Sequence, residues 1–288
     1  MTGPLAAGIP PLLAGLADDA AIFPPGSLPL EQAVAAHLRH RAAPYAAFVG
    51  PLVLSAAVLP QLPAILARHP GAQLSISVTV PAPADVAGVL AQLPALAQVQ
   101  LAALEVALPA ELAVADVVPA LDAALPAAAP PVYVEVPRDD RRPGLLEVLA
   151  ASKHRAKFRT GGVAAHLYPD EAELAAALEQ VAALRLPFKA TAGLHHAVRN
   201  TDPATGFEQH GFLNLLLAAA AALGGAPAGR LAQVLASRDG DQVARDVAAL
   251  PAEAARSLFV SFGTCSVTDP LTDLVAAGLL PADLGAHP

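Results

Sequence analysis

Residues 186–200 read LPFKATAGLHHAVRN, and a segment upstream, 157–162, reads KFRTGG. The 288-residue chain has three lysines (Lys153, Lys157, Lys189) and two asparagines (Asn200, Asn214), so these two segments hold two of the three lysines together with Arg159, His195, His196, Arg199 and Asn200. Elsewhere the chain uses arginine for its cations, 14 times in all. Lysine retained in such a background points to amine chemistry rather than charge alone, because an ammonium can lose its proton and attack a carbonyl whereas a guanidinium stays charged. Two lysines and an arginine held close together would also lower one lysine's pKa and leave a free amine near neutral pH.

The elements that must position these groups alternate regularly. Strand-like runs at 46–55, 74–80, 99–108, 131–137, 156–162, 186–193 and 258–263 are each followed by a helix-like run, and the N-terminal LLAGLADDAAIF feeds a loop and a helix at about 30–41. Strands joined through helices pair in parallel, and near-continuous apolar runs suit strands covered on both faces. Eight such units predict an α/β fold, a single-domain (β/α)8 TIM-like barrel over 1–288 with an extra pair of short helices at about 224–250. No G-x-G-x-x-G follows any strand, which argues against an open dinucleotide-binding sheet.

In such a barrel the chemistry gathers at the C-terminal strand ends. The third unit offers little beyond Thr79, the fourth strand carries Glu105 and the fifth Glu135. The sixth strand carries Lys157 and Arg159, the seventh Lys189, and the eighth Ser261, Gly263, Thr264, Cys265 and Ser266. Lys157 and Arg159 are two apart, so they share a face, and burial demands anions opposite; Glu105 and Glu135 are the natural partners. Lys157, Lys189, Glu105, Glu135 and His195 are therefore the catalytic candidates. Arg159, His196, Arg199, Asn200, Gly263 and Thr264 are candidates for holding an anion. Asp18 and Asp19 join the site if the first strand is 12–17 but not if it is 20–23, and His210 is a further candidate. Each has a plainer reading: the glutamates as a structural salt-bridge layer, the histidines as ordinary loop residues, the aspartates as caps, Cys265 as a small buried residue. His37 and His40, on the 30–41 helix, are expected to face solvent.

A charge of −8 disfavours nucleic acid, and apolar runs break before the roughly 18 residues that a membrane span needs. The first residues, MTGPLAAGIPPLLAGLADD, lack the basic start of a signal peptide, and a single cysteine precludes an internal disulfide. A cytoplasmic protein acting on a small anionic metabolite is expected, with no cofactor or metal assigned; a homo-oligomer is compatible with the composition.

Lys157 in KFRTGG and Lys189 in KATAGL resemble the two lysine motifs of class I aldolases of the deoxyribose-phosphate aldolase type. That resemblance implies a (β/α)8 barrel with an imine-forming lysine on the sixth strand and a second lysine on the seventh. It spans about 15 residues here. Arg159 stands where the family has a small polar residue, Leu194 replaces a glycine, and Glu105 or Glu135 would replace an aspartate. DDAAIFPPG, KFRTGG, KATAGLHH and GFEQHGFLN also resemble a bacterial (β/α)8-type family, which implies no activity. The expectation is a lyase or isomerase acting on a small anionic carbonyl compound through a lysine imine. A metal-dependent barrel enzyme using His195, His196, His210 and the acidic residues is the alternative, and a non-catalytic binding barrel the third.

Overall fold

A computed structural model describes residues 8–285; the ends of the 1–288 span, including the start of the N-terminal stretch read above, lie outside the described residues. Eight parallel strands close into a barrel in the order β1-β10-β7-β6-β5-β4-β3-β2. They are β1 (Ala17–Asp19), β2 (Val49–Ser55), β3 (Leu74–Val80), β4 (Val99–Val106), β5 (Val132–Glu135), β6 (Arg155–Arg159), β7 (Phe188–Thr191) and β10 (Phe259–Thr264). Two further strands, β8 (Asn200–Thr201) and β9 (Glu208–Gln209), form an antiparallel hairpin outside the barrel. The expected (β/α)8 fold is the one found.

The crossover helices are α1 (Leu30–Ala42), α2 (Leu62–Leu66), α3 (Val86–Leu90), α4 (Val114–Ala124), α5 (Arg142–Ala150), α6 (Glu171–Ala183) and α7 (Phe212–Leu223). Three more, α8 (Ala228–Ala236), α9 (Gly240–Ala248) and α10 (Ala252–Leu258), precede β10, and α11 (Thr268–Ala276) follows it. Where the sequence suggests a pair of extra helices, α8 and α9 are that pair and α10 is a third, opened by Pro251. The second and third crossovers are shorter than their apolar patterns suggest. Pro60, Pro63, Pro83 and Pro94 interrupt them, and each proline removes a backbone donor, so much of the path is 3-10 turn. By contrast α6 begins as its PDEAEL sequence requires: the Asp170 side chain accepts the Glu173 N–H at 2.8 Å, with Glu171 and Glu173 in the first turn. No helix among the described residues is long and apolar enough to cross a membrane.

Strand alternation sorts the chain into two worlds. Phe158, Phe188 and Phe262 point out of the barrel into the helix layer, where Phe188 lies 5.3 Å from Phe158 and Phe262 stacks on Phe212 of α7 at 4.8 Å. Their neighbours Lys157, Lys189 and Ser261 point inward. Register locks these inward residues side by side: Ser261 opposite Lys189, Lys189 opposite Lys157, Lys157 opposite Glu135.

Candidate active site

The barrel interior is built in two storeys. In the lower one, Lys189 Nζ lies 2.5 Å from both Asp18 Oδ2 and Glu105 Oε1. Ser261 Oγ donates to Asp18 Oδ2 at 2.8 Å and Ser77 Oγ to Glu105 Oε1 at 2.7 Å, while the Tyr133 ring lies 5.5 Å from Nζ. Lys189, Asp18 and Glu105 are all buried. Glycine at position 50 makes this possible, since a Cβ there would fall on Asp18 Oδ1.

The upper storey faces a cavity of about 470 Å³ that opens at the C-terminal ends of the strands. Lys157 Nζ contacts Glu105 Oε2 at 3.0 Å and Glu135 Oε2 at 3.1 Å, and Arg159 Nε donates to Glu135 Oε1 at 3.0 Å. The partners expected for Lys157 and Arg159 are thus the ones present. Glu105 joins the storeys, with one oxygen on each lysine. All four upper residues line the cavity, and of the three lysines Lys157 alone does so.

The electrostatics correct one expectation. Crowded cations were to lower one lysine's pKa, but each lysine meets two carboxylates. Burial alone would lower the Lys189 pKa; Asp18 and Glu105 outweigh it and hold it above the ordinary lysine value, so Lys189 is a fixed ammonium. Burial would likewise raise Glu105, but Lys189 and Lys157 hold it well below the usual carboxylate range. Glu135 is also depressed, because Lys157 and Arg159 overcome its burial. Asp18 is pushed up by burial, against the pull of Lys189.

His195 lines the cavity at its rim, with Nδ1 3.7 Å from Cys265 Sγ. Burial lowers the His195 pKa and raises that of the Cys265 thiol, so both favour their neutral forms. Gly263 also lines the cavity. The other candidates lie elsewhere. His196 is exposed and pairs with Asp273 at 3.2 Å. Arg199 is buried beneath the hairpin, pairing with Glu171 at 2.7 Å, and Asn200 caps the Val198 carbonyl. His210 is buried with Nε2 2.8 Å from the Pro169 carbonyl oxygen, and the Thr264 hydroxyl turns to the Ser266 carbonyl. None of these five lines the cavity: four belong to the long loop after β7, whose polar groups bond to the loop itself and to neighbouring helices and turns, and Thr264, at the end of β10, bonds within its own turn.

The first strand is neither of the two alternatives read from sequence. It is Ala17–Asp19, so both aspartates lie in it and point opposite ways. Asp18 enters the barrel, whereas Asp19 turns out to His37, Oδ2 to Nδ1 3.0 Å. His37 is therefore buried rather than solvent-facing, and His40 Nδ1 lies 3.0 Å from the Tyr45 hydroxyl. The alternative metal reading gathers its ligands nowhere: among the described residues no three or more His, Cys, Asp or Glu side chains are placed to hold a metal ion.

Sequence reasoning passed over Ser77 and Tyr133. The signal for Ser77 is present, because Ser75, Ser77 and Thr79 alternate along β3 and so share the inward face. Above β6 and β7 the two loops are joined by small residues. A Cβ on Gly161 would lie 2.7 Å from the Gly193 Cα and equally close to Tyr168, and Gly193 has φ +72°. Thr160 Oγ1 donates across the same junction to the carbonyls of Thr191 and Ala192. Comparison with protein-family profiles, with curated proteins and with solved structures finds no match to this chain.

Proposed function

We propose that this chain is an enzyme of the lyase or isomerase kind, which forms an imine between Lys157 and a carbonyl compound bound in the cavity. The observation that carries this reading is the placement of Lys157: an amine at the floor of a cavity of about 470 Å³, touching two carboxylates. The resemblance to class I aldolases points the same way, since the imine-forming lysine there is on the sixth strand.

The residues divide the work as follows. Lys157 must shed a proton before it attacks; the cavity above it opens to water, which can take that proton, while Glu135, in contact at 3.1 Å and held ionised by Lys157 and Arg159, keeps the amine in place. The amine's lone pair then forms a bond to the carbonyl carbon, and the carbonyl π pair moves to oxygen, which takes a proton. The nitrogen releases a proton, the new hydroxyl takes up a second proton and leaves as water, and the nitrogen lone pair forms C=N to give the iminium. The iminium accepts the electron pair of a neighbouring C–C or C–H bond to give an enamine: in the first case a base takes the hydroxyl proton of the departing carbon, which leaves as a carbonyl, and in the second the base takes the carbon-bound proton. His195, kept neutral by burial at the rim, is suited to move that proton. Arg159 is the group that would hold an anionic part of the substrate. Lys189 acts beneath as a positioning cation that fixes Glu105. We assign the reaction to the cytoplasm on composition, with no nucleic-acid or membrane partner.

Incubation with a panel of aldehydes, ketones and 2-oxo acids, borohydride reduction and peptide mass spectrometry tests this. A reduced adduct on the Lys157 peptide, lost in Lys157→Arg, is expected. No adduct on either Lys157 or Lys189 across the panel would overturn it.

A further inference from the structure

We infer that the substrate is an apolar carbonyl compound carrying at most one carboxylate, and not a phosphorylated polyol. The inference rests on the imine reading for the carbonyl alone; the rest comes from the cavity wall. The cavity's polar atoms lie at its floor. Lys157, Arg159, Glu105 and Glu135 stand there, and the hydroxyl residues Ser55, Thr79 and Thr191 lie at the same strand ends, Ser55 in register with Thr79, Thr79 with Glu105 and Thr191 with Arg159. Above them the loops offer hydrocarbon: Ala56 and Ala57 after β2, Pro81 after β3, Ala107 after β4, Val163 and Leu167 after β6. Only His195 and Cys265 interrupt this wall at the rim. A polyol in such a chamber would leave its hydroxyls without partners, which costs more than the burial returns. An apolar small molecule suits the lining, and about 470 Å³ is a volume common for small-molecule sites.

Charge narrows the class further. The cavity wall holds two cations and two carboxylates, and each cation is already bonded to a carboxylate. A phosphate dianion would enter without compensation. The strand 7 and 8 loops, where barrels commonly hold phosphate, supply no lysine or arginine to the wall. Asp202 in the strand 7 loop and Asp269 in α11 lie outside the lining, and the charge of each acts on His195 at the rim. The Thr264 hydroxyl is turned to Ser266, and the Asp269 N–H at the start of α11 is taken by Ser266 Oγ. A single carboxylate beside the carbonyl fits better. Glu135 shows the spacing, because one carboxylate there bridges Lys157 and Arg159.

The test uses the full chain in two arms. Calorimetry compares phenyllactate, which cannot form an imine, with glycerol 3-phosphate. Borohydride trapping compares phenylpyruvate and 4-methyl-2-oxopentanoate with glyceraldehyde 3-phosphate. Phenyllactate is expected to bind at least tenfold more tightly than glycerol 3-phosphate, and the 2-oxo acids to label Lys157 more extensively than the sugar phosphate. Ala107→Phe should weaken phenyllactate at least tenfold, and Ala57→Trp, an exposed position on the same wall, does so if Ala107→Phe fails to fold. Glycerol 3-phosphate binding as tightly as phenyllactate, or no binding of either, overturns the inference. Phenyllactate binding without any Lys157 adduct upholds the apolar site and removes the imine. Adducts from the sugar phosphate alone keep the imine and overturn the apolar substrate.

Discussion

Lys157 and Lys189 occupy adjacent strands in direct register, and each touches two carboxylates. They differ in what stands above them. Lys189 is buried against Glu105 and does not line the cavity; Lys157 lies at its floor. Two identical side chains, one residue layer apart, thus become a structural cation and a reactive candidate. What separates them is access, because a sealed ammonium has no route to substrate, whereas Lys157 faces the cavity.

The largest effect expected from breaking that contrast is on stability. Lys189→Met leaves Asp18 and Glu105 buried without their shared cation and should cost about 3–5 kcal/mol in urea unfolding. Lys157→Met should cost about 1–2 kcal/mol, because Glu105 keeps Lys189 and Ser77 while Glu135 keeps Arg159. Equal losses would erase the distinction between the storeys. A middle effect probes the lower storey by shape. Gly50→Ala pushes into Asp18 Oδ1 and should cost about 1–3 kcal/mol. In an Asp18→Ala background the same change should cost under about 0.5 kcal/mol, a coupling read by a double-mutant cycle.

The smallest effect is in acid. Glu105 and Glu135 have folded pKa values below their ordinary 4.5, so their stabilisation is complete above that pH and is lost as the pH falls below it. Asp18, raised by burial, works with the opposite sign and offsets part of the loss as it takes up a proton. A net fall on the order of 1 kcal/mol from pH 6 to pH 4 is expected in urea midpoints. Lys189→Met should flatten it, by removing the larger of the two pulls on Glu105.

Much of this was legible before any coordinates. Strands covered on both faces read as continuous apolar runs, so seven of the eight stood out. The pairing of Lys157 and Arg159 with Glu105 and Glu135 followed from a two-residue period. β1 did not stand out, because three residues reading Ala-Asp-Asp carry no apolar signal, and which aspartate enters the barrel depends on where so short a strand begins. His37 looked solvent-facing because its helix, AAHLRHR, shows only its own residues; its partner Asp19 arrives from 18 residues away. Arg199, Asn200 and His210 lay in a loop whose path no periodicity records. The sequence also hid the balance of charge, since it displays cations in clusters but scatters their carboxylates over three other strands.

The junction of Gly161 with Gly193 has a consequence for how this barrel can be altered. With Cβ atoms excluded on both sides and Thr160 bonded across, the loops after β6 and β7 form one welded rim. The opposite rim, after β2 and β4, carries alanines at 56, 57 and 107, which have room to grow into the cavity. Selection or redesign for a new substrate therefore has a fixed jaw and an adjustable one, and changes of scope should accumulate on the alanine side.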